Sequence, residues 1–498
     1  MQETPGIRYG TPAARWVLAA TVLGSGIAFL DGTVVNVALP AISEDLGTSL
    51  TGMQWTVNAY LVTLSALLLL GGSLGDRFGR RRMFVTGLAG FTLASLLCGV
   101  APTPGFLIAA RAVQGVGGAL LVPGSLSIIA AAFHPDDRGR AIGAWSGLAG
   151  VTASIGPFLG GWMIDAVSWR LIFLINVPLA AVAIAIAVRH VPETTSHDRK
   201  PLDATGAVLI TTALAGISYA AIEHRGATSA VAAAIGVCAL AGFLVVERST
   251  SHPMLPLRIF RSRQFSGTNL TTLAVYAGLS GALFLVVLRL QISLGYSALE
   301  AGAALVPFTL LMLTLSSKAG QLAQRIGARL PMTVGPLVTA AGIILLSWIA
   351  PGSRYVTAVL PGVVVFGLGM ALTVAPLTAA VLASVGDEMT GVASGVNNAV
   401  ARLAGLLAVA GLPALAGIAT DGSVGASLDH GYAPALRIAA LVGALGGVVA
   451  VMVVRETSRV RPAPHPSPFH ACHHPCVAAD ADADSSPLTA GAVGGKGR

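Results

Sequence analysis

Between residues 12 and 455 the chain runs as fourteen separate apolar stretches, joined by short loops whose basic residues recur on alternate sides. No soluble fold buries that many long apolar segments. A bilayer core takes roughly 20 mostly apolar residues per helix. The stretches fall at 16–40, 53–74, 83–101, 106–132, 140–163, 170–190, 203–222, 229–247, 265–288, 300–317, 330–350, 355–384, 391–419 and 437–454. Only 10% of the residues are charged and the mean hydropathy is +0.78, whereas a soluble chain carries about a quarter charged residues. A transmembrane barrel is excluded, because its strands are roughly 10-residue segments of alternating polarity. The chain therefore reads as an all-α polytopic membrane protein. Its first stretch is too long and too Gly-rich for a cleaved signal peptide, so it is expected to stay.

Lys and Arg set the orientation. With the amino terminus in the cytoplasm, 23 of the 30 basic residues fall on the cytoplasmic side and five, Arg170, Arg225, Arg289, Arg354 and Arg437, on the other. Arg111 and Arg402 lie inside spans. The bias predicts an even number of spans with both termini cytoplasmic. The net charge of +8 is then a topogenic bias with attraction to anionic lipid, and it calls for no nucleic-acid partner. Arginine far outnumbers lysine, a composition that suggests a bacterial cytoplasmic membrane. Cys98 and Cys238 fall in spans and Cys472 and Cys476 in the reducing compartment, so no structural disulfide is expected.

A repeat is visible by eye. GGSLGDRFGRRR (71–82) follows the second span and GQLAQRIGARL (320–330) the tenth. Gly72, Leu74, Arg77 and Gly79 align with Gly320, Leu322, Arg325 and Gly327. Matching loops imply a duplicated bundle: an amino-terminal segment 1–15, a six-helix bundle 16–190, a linker with two added helices 191–263, a second bundle 264–455 and a disordered tail 456–498. Parallel six-helix repeats with a midplane site between them are a transporter architecture. In the first loop Gly79 permits a tight turn. Asp76 is placed to accept from backbone N–H groups or to pair with Arg80 and latch one bundle to the other.

Residues 72–82 resemble the signature loop of the major facilitator superfamily, G-x-L-x-D-R-x-G-R-(R/K)-(R/K), with Gly75 where Ala is commoner. LDGTVVNVALP (30–40) is similar to the first-helix motif of the fourteen-helix drug:proton antiporter branch. RAVQGVGGA (111–119) resembles the helix-four motif, IGPFLGG (155–161) the helix-five antiporter motif, and WRLIFLINVP (169–178) the start of helix six. SGVNNAVARLAG (394–405) extends the likeness to the second half. The resemblance implies the major facilitator fold, two six-helix bundles plus two extra central helices. It also implies a proton-coupled multidrug or antibiotic efflux antiporter working on a small-molecule substrate, protons and membrane lipid, as a monomer and without a cofactor. The alternatives are an importer or facilitator of a specific metabolite, and a non-transporting membrane sensor on the same fold.

Polar groups inside spans are costly and so are functional candidates. Asp31 is the one carboxylate well inside a predicted span; desolvation raises its pKa unless a cation lies nearby. It either carries the coupling proton or fixes its helix by bonding Thr33, Asn36 or backbone. For Arg111 the resemblance implies a proton-coupling role, and the plain alternative is a snorkelling Arg at the outer interface. Gln114 extends its polar stripe. The latch loop is Gly72, Asp76, Arg77, Gly79 and Arg80. The antiporter helix is Gly156, Pro157, Gly160 and Gly161, with Gly143, Gly147 and Gly150 before them allowing close backbone approach and Pro157 bending the helix. Thr152 stands where the motif usually has Gly.

Asn398 and Arg402, four apart on one face, are expected to line a polar cavity with Asn269 and Gln291; Asn397 and Asn398 read equally as interhelical glue. Asn36, Trp55, Asn58 and Gln114 complete the cavity candidates. Glu300 is the expected partner of Arg289. No nucleotide-binding loop, catalytic triad or closed metal site is legible, and the tail residues His465, His470, Cys472, His473, His474 and Cys476 match no such spacing. The chain is not expected to be an enzyme.

Overall fold

The computed structural model describes residues 6–195, 201–223, 226–386, 389–418 and 424–454; the tail lies outside them. Fourteen described helices are long and apolar enough to cross a bilayer. They are α1 Pro12–Leu46, α2 Leu50–Phe78, α3 Arg80–Gly99, α4 Pro104–Ala132, α5 Pro135–Ala166, α6 Leu171–His190, α7 Ala204–Glu223, α8 Ala227–Ser249, α9 Arg263–Ser293, α10 Ala298–Ile326, α11 Arg329–Leu346, α12 Tyr355–Ala383, α13 Gly391–Leu415 and α14 Val424–Val453. Their starts carry ordinary capping chemistry. Thr11 before Pro12 and Thr103 before Pro104 each accept from an amide of the first turn, and Ser297 and Glu300 form a reciprocal capping box at α10. The repeat is visible in the backbone: α2 ends at Gly79 with φ 110° and α10 at Gly327 with φ 92°. Only Gly adopts such angles without strain.

Helices α1–α6 pack on one another through α2 and α3 on α4 and through α1 on α4, α5 and α6. Helices α9–α14 do the same through α11 on α12 and α14, α10 on α12, and α9 on α13 and α14. The added hairpin is placed asymmetrically. α7 packs on both α2 and α13, against the seam between the bundles, where Leu214 shares an apolar cluster with Val62, Ala66 and Leu406. α8 packs on α7 and leaves Val231, Ile235, Val237 and Val245 exposed, as expected of a helix facing lipid.

The bundles are joined unequally. The face that carries the repeated Arg-rich loops is called the basic face here, and its opposite the far face. Toward the far face one apolar core runs through both bundles, with Val34 and Val37 of α1, Phe173 of α6, Leu285 and Leu288 of α9 and Ala301 of α10. Toward the basic face the core divides. Phe84, Leu88, Leu121 and Ile129 belong to the first bundle, and Phe265, Val381 and Val396 to the second. Leu69 of α2 and Ala399 of α13 are the partly buried side chains that reach across there.

Two boundaries differ from the sequence reading. α1 continues through Pro40 to Leu46. α14 begins at Val424 rather than 437, although Asp429, His430, Gly431 and Pro434 lie in the added stretch. Leu428, Tyr432, Ala435 and Leu436 there turn inward at helical spacing, so packing overrides weak propensity. Arg289 and Arg437, which the sequence puts at the ends of spans, accordingly lie inside helices.

Candidate functional site

Asp31 and Arg111 meet in the centre of the first bundle. Both are sealed, at 1% exposure each. The Arg111 guanidinium donates to Asp31 Oδ2 at 2.6 Å, to Gln114 Oε1 at 2.6 Å and to the Thr56 carbonyl at 3.1 Å. Gln114 Nε2 donates to the other Asp31 oxygen at 2.9 Å and lies 3.3 Å from Ser95 Oγ. Ser95 in turn accepts from Asn176 Nδ2 at 2.9 Å and donates to the Phe173 carbonyl at 2.8 Å. The Tyr60 ring lies under the guanidinium at 4.4 Å. Helices α1, α2, α3, α4 and α6 all contribute, so the network depends on the whole bundle. Asp31 therefore has its cation, and neither Thr33 nor Asn36 is the partner that holds its carboxylate. Arg111 does not snorkel; it is buried and neutralised. Sequence reasoning missed Ser95, and although Tyr60 and Asn176 stand in helix-two and helix-six motifs, no spacing ties them to Asp31.

The far face is closed by backbone contact. A Cβ on Gly161 would sit 2.5 Å from the Ala298 carbonyl oxygen and 2.6 Å from Leu299 Cα, and one on Gly302 would strike the Pro157 carbonyl. Within the first bundle Gly156 and Gly160 leave room for the side chains of Thr33 and Val34 of α1. Thr152 is accommodated because α1 offers Gly26 opposite it. Gly143, Gly147 and Gly150 are exposed and have nothing within 4 Å of their would-be Cβ atoms, contrary to the expected close packing. Among the described residues three hydrogen-bonded links cross the far-face seam. Asp165 accepts from the amides of Ala298 and Leu299 at 3.1 and 2.9 Å. Gln54 Nε2 donates to the Val409 carbonyl at 2.7 Å, and Gln291 Nε2 to that of Val37 at 2.9 Å. Gln291 is thus a seam residue, not a cavity residue.

The latch loop closes on its own bundle. Asp76 Oδ1 accepts from Arg80 Nε and Nη2 at 3.0 and 2.9 Å, but the bridge from the loop runs to Glu193 just after α6. Its carboxylate accepts the Arg81 and Arg82 amides at 3.1 and 3.2 Å, and Gly79 lets that carboxylate approach. Gly72 packs near Pro123 of α4, and Arg77 lies 5.4 Å from the exposed Phe78 ring. Glu193 thus caps α3, whose own N-cap Gly79 has no side chain to do so. Glu193→Ala is expected to cost about 0.5–2 kcal/mol, and Asp76→Ala about 0.3–0.5 kcal/mol as a half-exposed i,i+4 pair. Thermal unfolding in detergent, compared between the two variants, checks the order.

The remaining cavity candidates do not form one polar wall. Trp55 turns to α7, donating to Glu223 Oε1 at 3.3 Å and lying against Tyr219. Asn58 is sealed at 0% exposure, so it lines no open space. Asn269 accepts from Asn397 Nδ2 at 3.3 Å, and Asn397 also donates to Thr272 at 2.8 Å; this pair ties α13 to α9. Asn398 donates to the Ser394 carbonyl at 3.0 Å, within its own helix. Asn36 donates to Gly32 at 3.4 Å, and its Oδ1 has no hydrogen-bond partner among the described residues. Arg402 reaches across the seam and lies 5.4 Å from the Phe29 ring of α1. Arg289 pairs with Asp429, not Glu300, and also donates to Ile349 O at 3.2 Å. Glu300 is engaged in its capping box. Among the described residues no group of three or more His, Cys, Asp or Glu side chains is arranged to hold a metal.

The family model described as Major Facilitator Superfamily matches residues 21–409. The chain is 35% identical over 457 residues to the probable actinorhodin transporter of Streptomyces coelicolor, covering 88% of this chain and 79% of that one. It is 33% identical over 408 residues to the tetracenomycin C resistance and export protein of Streptomyces glaucescens, covering 80% of this chain and 75% of that one. A solved POT family transporter in complex with a thioalcohol-conjugated peptide superposes with a TM-score of 0.67 at 13% identity, over 89% of this chain and 96% of that one. At that identity the likeness concerns the fold. The fourteen helices in two bundles, the matched length and the two relatives agree: this multi-pass membrane protein belongs to the major facilitator superfamily.

Proposed function

We propose that the protein exports hydrophobic or amphipathic small molecules from the bacterial cytoplasm in exchange for protons. The basic face and both termini then lie in the cytoplasm, and a monomer works without a cofactor. The unequal seam supports alternating access: joined at the far face and parted at the basic face, the two bundles accept substrate from inside, then rock to release it outside. Support for export comes from the relatives, whose names record a transporter of actinorhodin and an export protein for tetracenomycin C.

The observation that carries proton exchange is the sealed Asp31–Arg111 pair. A proton arriving when the far face opens neutralises Asp31 and leaves Arg111 without its counter-charge. The guanidinium keeps the Thr56 and Gln114 oxygens and the Tyr60 ring, which lowers the cost of that step. Losing the proton to the cytoplasm restores the pair and the arrangement described here. Each ligand moves the equilibrium only by its difference in affinity for the two states.

Purified protein in liposomes with an internal pH dye tests this. Substrate movement is expected to require an imposed pH gradient and to vanish in Asp31→Asn. Gradient-dependent transport that survives in the variant would sink Asp31 as the coupling site, and movement indifferent to the gradient would favour a facilitator.

A further inference from the structure

Three arginines reach the interior of the membrane-embedded bundles, and they are treated very differently. Arg111 has Asp31, and Arg289 has Asp429. Arg402, close to the middle of α13, forms no ion pair and no hydrogen bond with any described residue; it lies against the ring of Phe29. Asp31 is two residues from Phe29, but its oxygens accept from Arg111 and Gln114 and it forms no ion pair with Arg402. A guanidinium at this depth costs several kcal/mol unless acceptors meet it.

The geometry explains how the charge is held ready. A guanidinium held beside a ring by cation–π attraction keeps its N–H donors for other partners. Arg402 is half-buried, with its guanidinium carbon 5.4 Å from the Phe29 ring centroid. It stands at the seam, and the bundles part on the basic-face side of it. The Phe29 ring beside a cation that pairs with no described residue suits an apolar scaffold bearing an acidic group.

We infer that Arg402 is the anion-binding group of the transport cavity, and that the substrates are amphipathic acids carrying a carboxylate, sulfonate or ionised phenol. This rests on the reading of the seam as a transport pathway. A fork–fork contact to such a group is charge-assisted and bidentate, and a cation of equal size is repelled at the same place. Neither Lys nor Gln reproduces it, because Lys keeps the charge without the fork and Gln keeps neither.

Two xanthene dyes, anionic carboxyfluorescein and cationic rhodamine 6G, test the inference as a matched pair. Binding to the purified full-length chain is read by fluorescence polarisation, without any gradient. The wild type is expected to hold the anion at least tenfold more tightly than the cation. Arg402→Gln should lose anion binding tenfold or more at an unchanged melting temperature, and Arg402→Lys should fall between. If Arg402→Gln unfolds, the well-folded Arg402→Lys decides by its own ratio of the two dyes. Equal or weaker binding of the anion by the wild type overturns the inference, as does full retention of the anion by Arg402→Gln. A dye that binds but is not moved by a pH gradient rejects proton exchange, and the binding arm still decides Arg402.

Discussion

Arg111→Met is expected to destabilise the first bundle by about 3–5 kcal/mol, because it strands the Asp31 carboxylate in a sealed interior. Asp31 is at 1% exposure and receives its second hydrogen bond from Gln114 alone. Asp31→Asn is expected to cost less, since the guanidinium keeps the Thr56 and Gln114 oxygens and the Tyr60 ring. The double variant Asp31→Asn, Arg111→Met should be more stable than Arg111→Met alone, because no charge is then left unpaired. Unfolding free energies measured in mixed micelles complete the cycle. If the two single effects simply add within about 0.5 kcal/mol, the 2.6 Å contact carries no coupling and the network is only packing.

Gly161→Leu is expected to abolish the far-face closure. The added Cβ would meet the backbone of Ala298 and Leu299 at 2.5 and 2.6 Å. Backbone cannot move aside as the tip of a flexible side chain can. Overpacking at such a contact costs typically about 1–3 kcal/mol, enough to shift a two-state equilibrium by roughly 5- to 150-fold. The bundles should then stay apart at the far face, and transport should fall by at least tenfold. Spin labels at Val167 and Glu300 report the change, with a longer distance expected than in the wild type. An unaltered distance together with normal transport would show that the α5–α10 contact is not a gate.

Much of this was legible from residue order alone, for physical reasons. Lipid leaves a backbone no partner but itself, so fourteen apolar stretches had to be helices. The positive-inside bias needs only charges and loops, and the repeated Gly79 and Gly327 announced two matching turns before either φ angle was known. Asp31 and Arg111 stood out because ionisable groups are rare at that depth.

The tertiary structure decided which of those groups meet. Asp31 and Arg111 lie on α1 and α4, and nothing in their spacing says that five helices converge on them through Gln114, Ser95 and Asn176. Asp76 is charged and lies in the motif, which suggests a bundle latch, yet Glu193, outside it, makes the bridge and stays within one bundle. The supposed cavity wall of Asn269, Gln291, Asn398 and Arg402 dissolved because helical spacing gives a residue's face on its own helix but not the neighbour that face meets. Asn269 found Asn397, Gln291 found the backbone of α1, and Arg402 was left with an aromatic ring. Helical period and charge bias are properties of a segment and can be read from it. Partners across 80 to 254 residues, as for Arg111 with Asp31 and Gln291 with Val37, exist only once the bundles have packed.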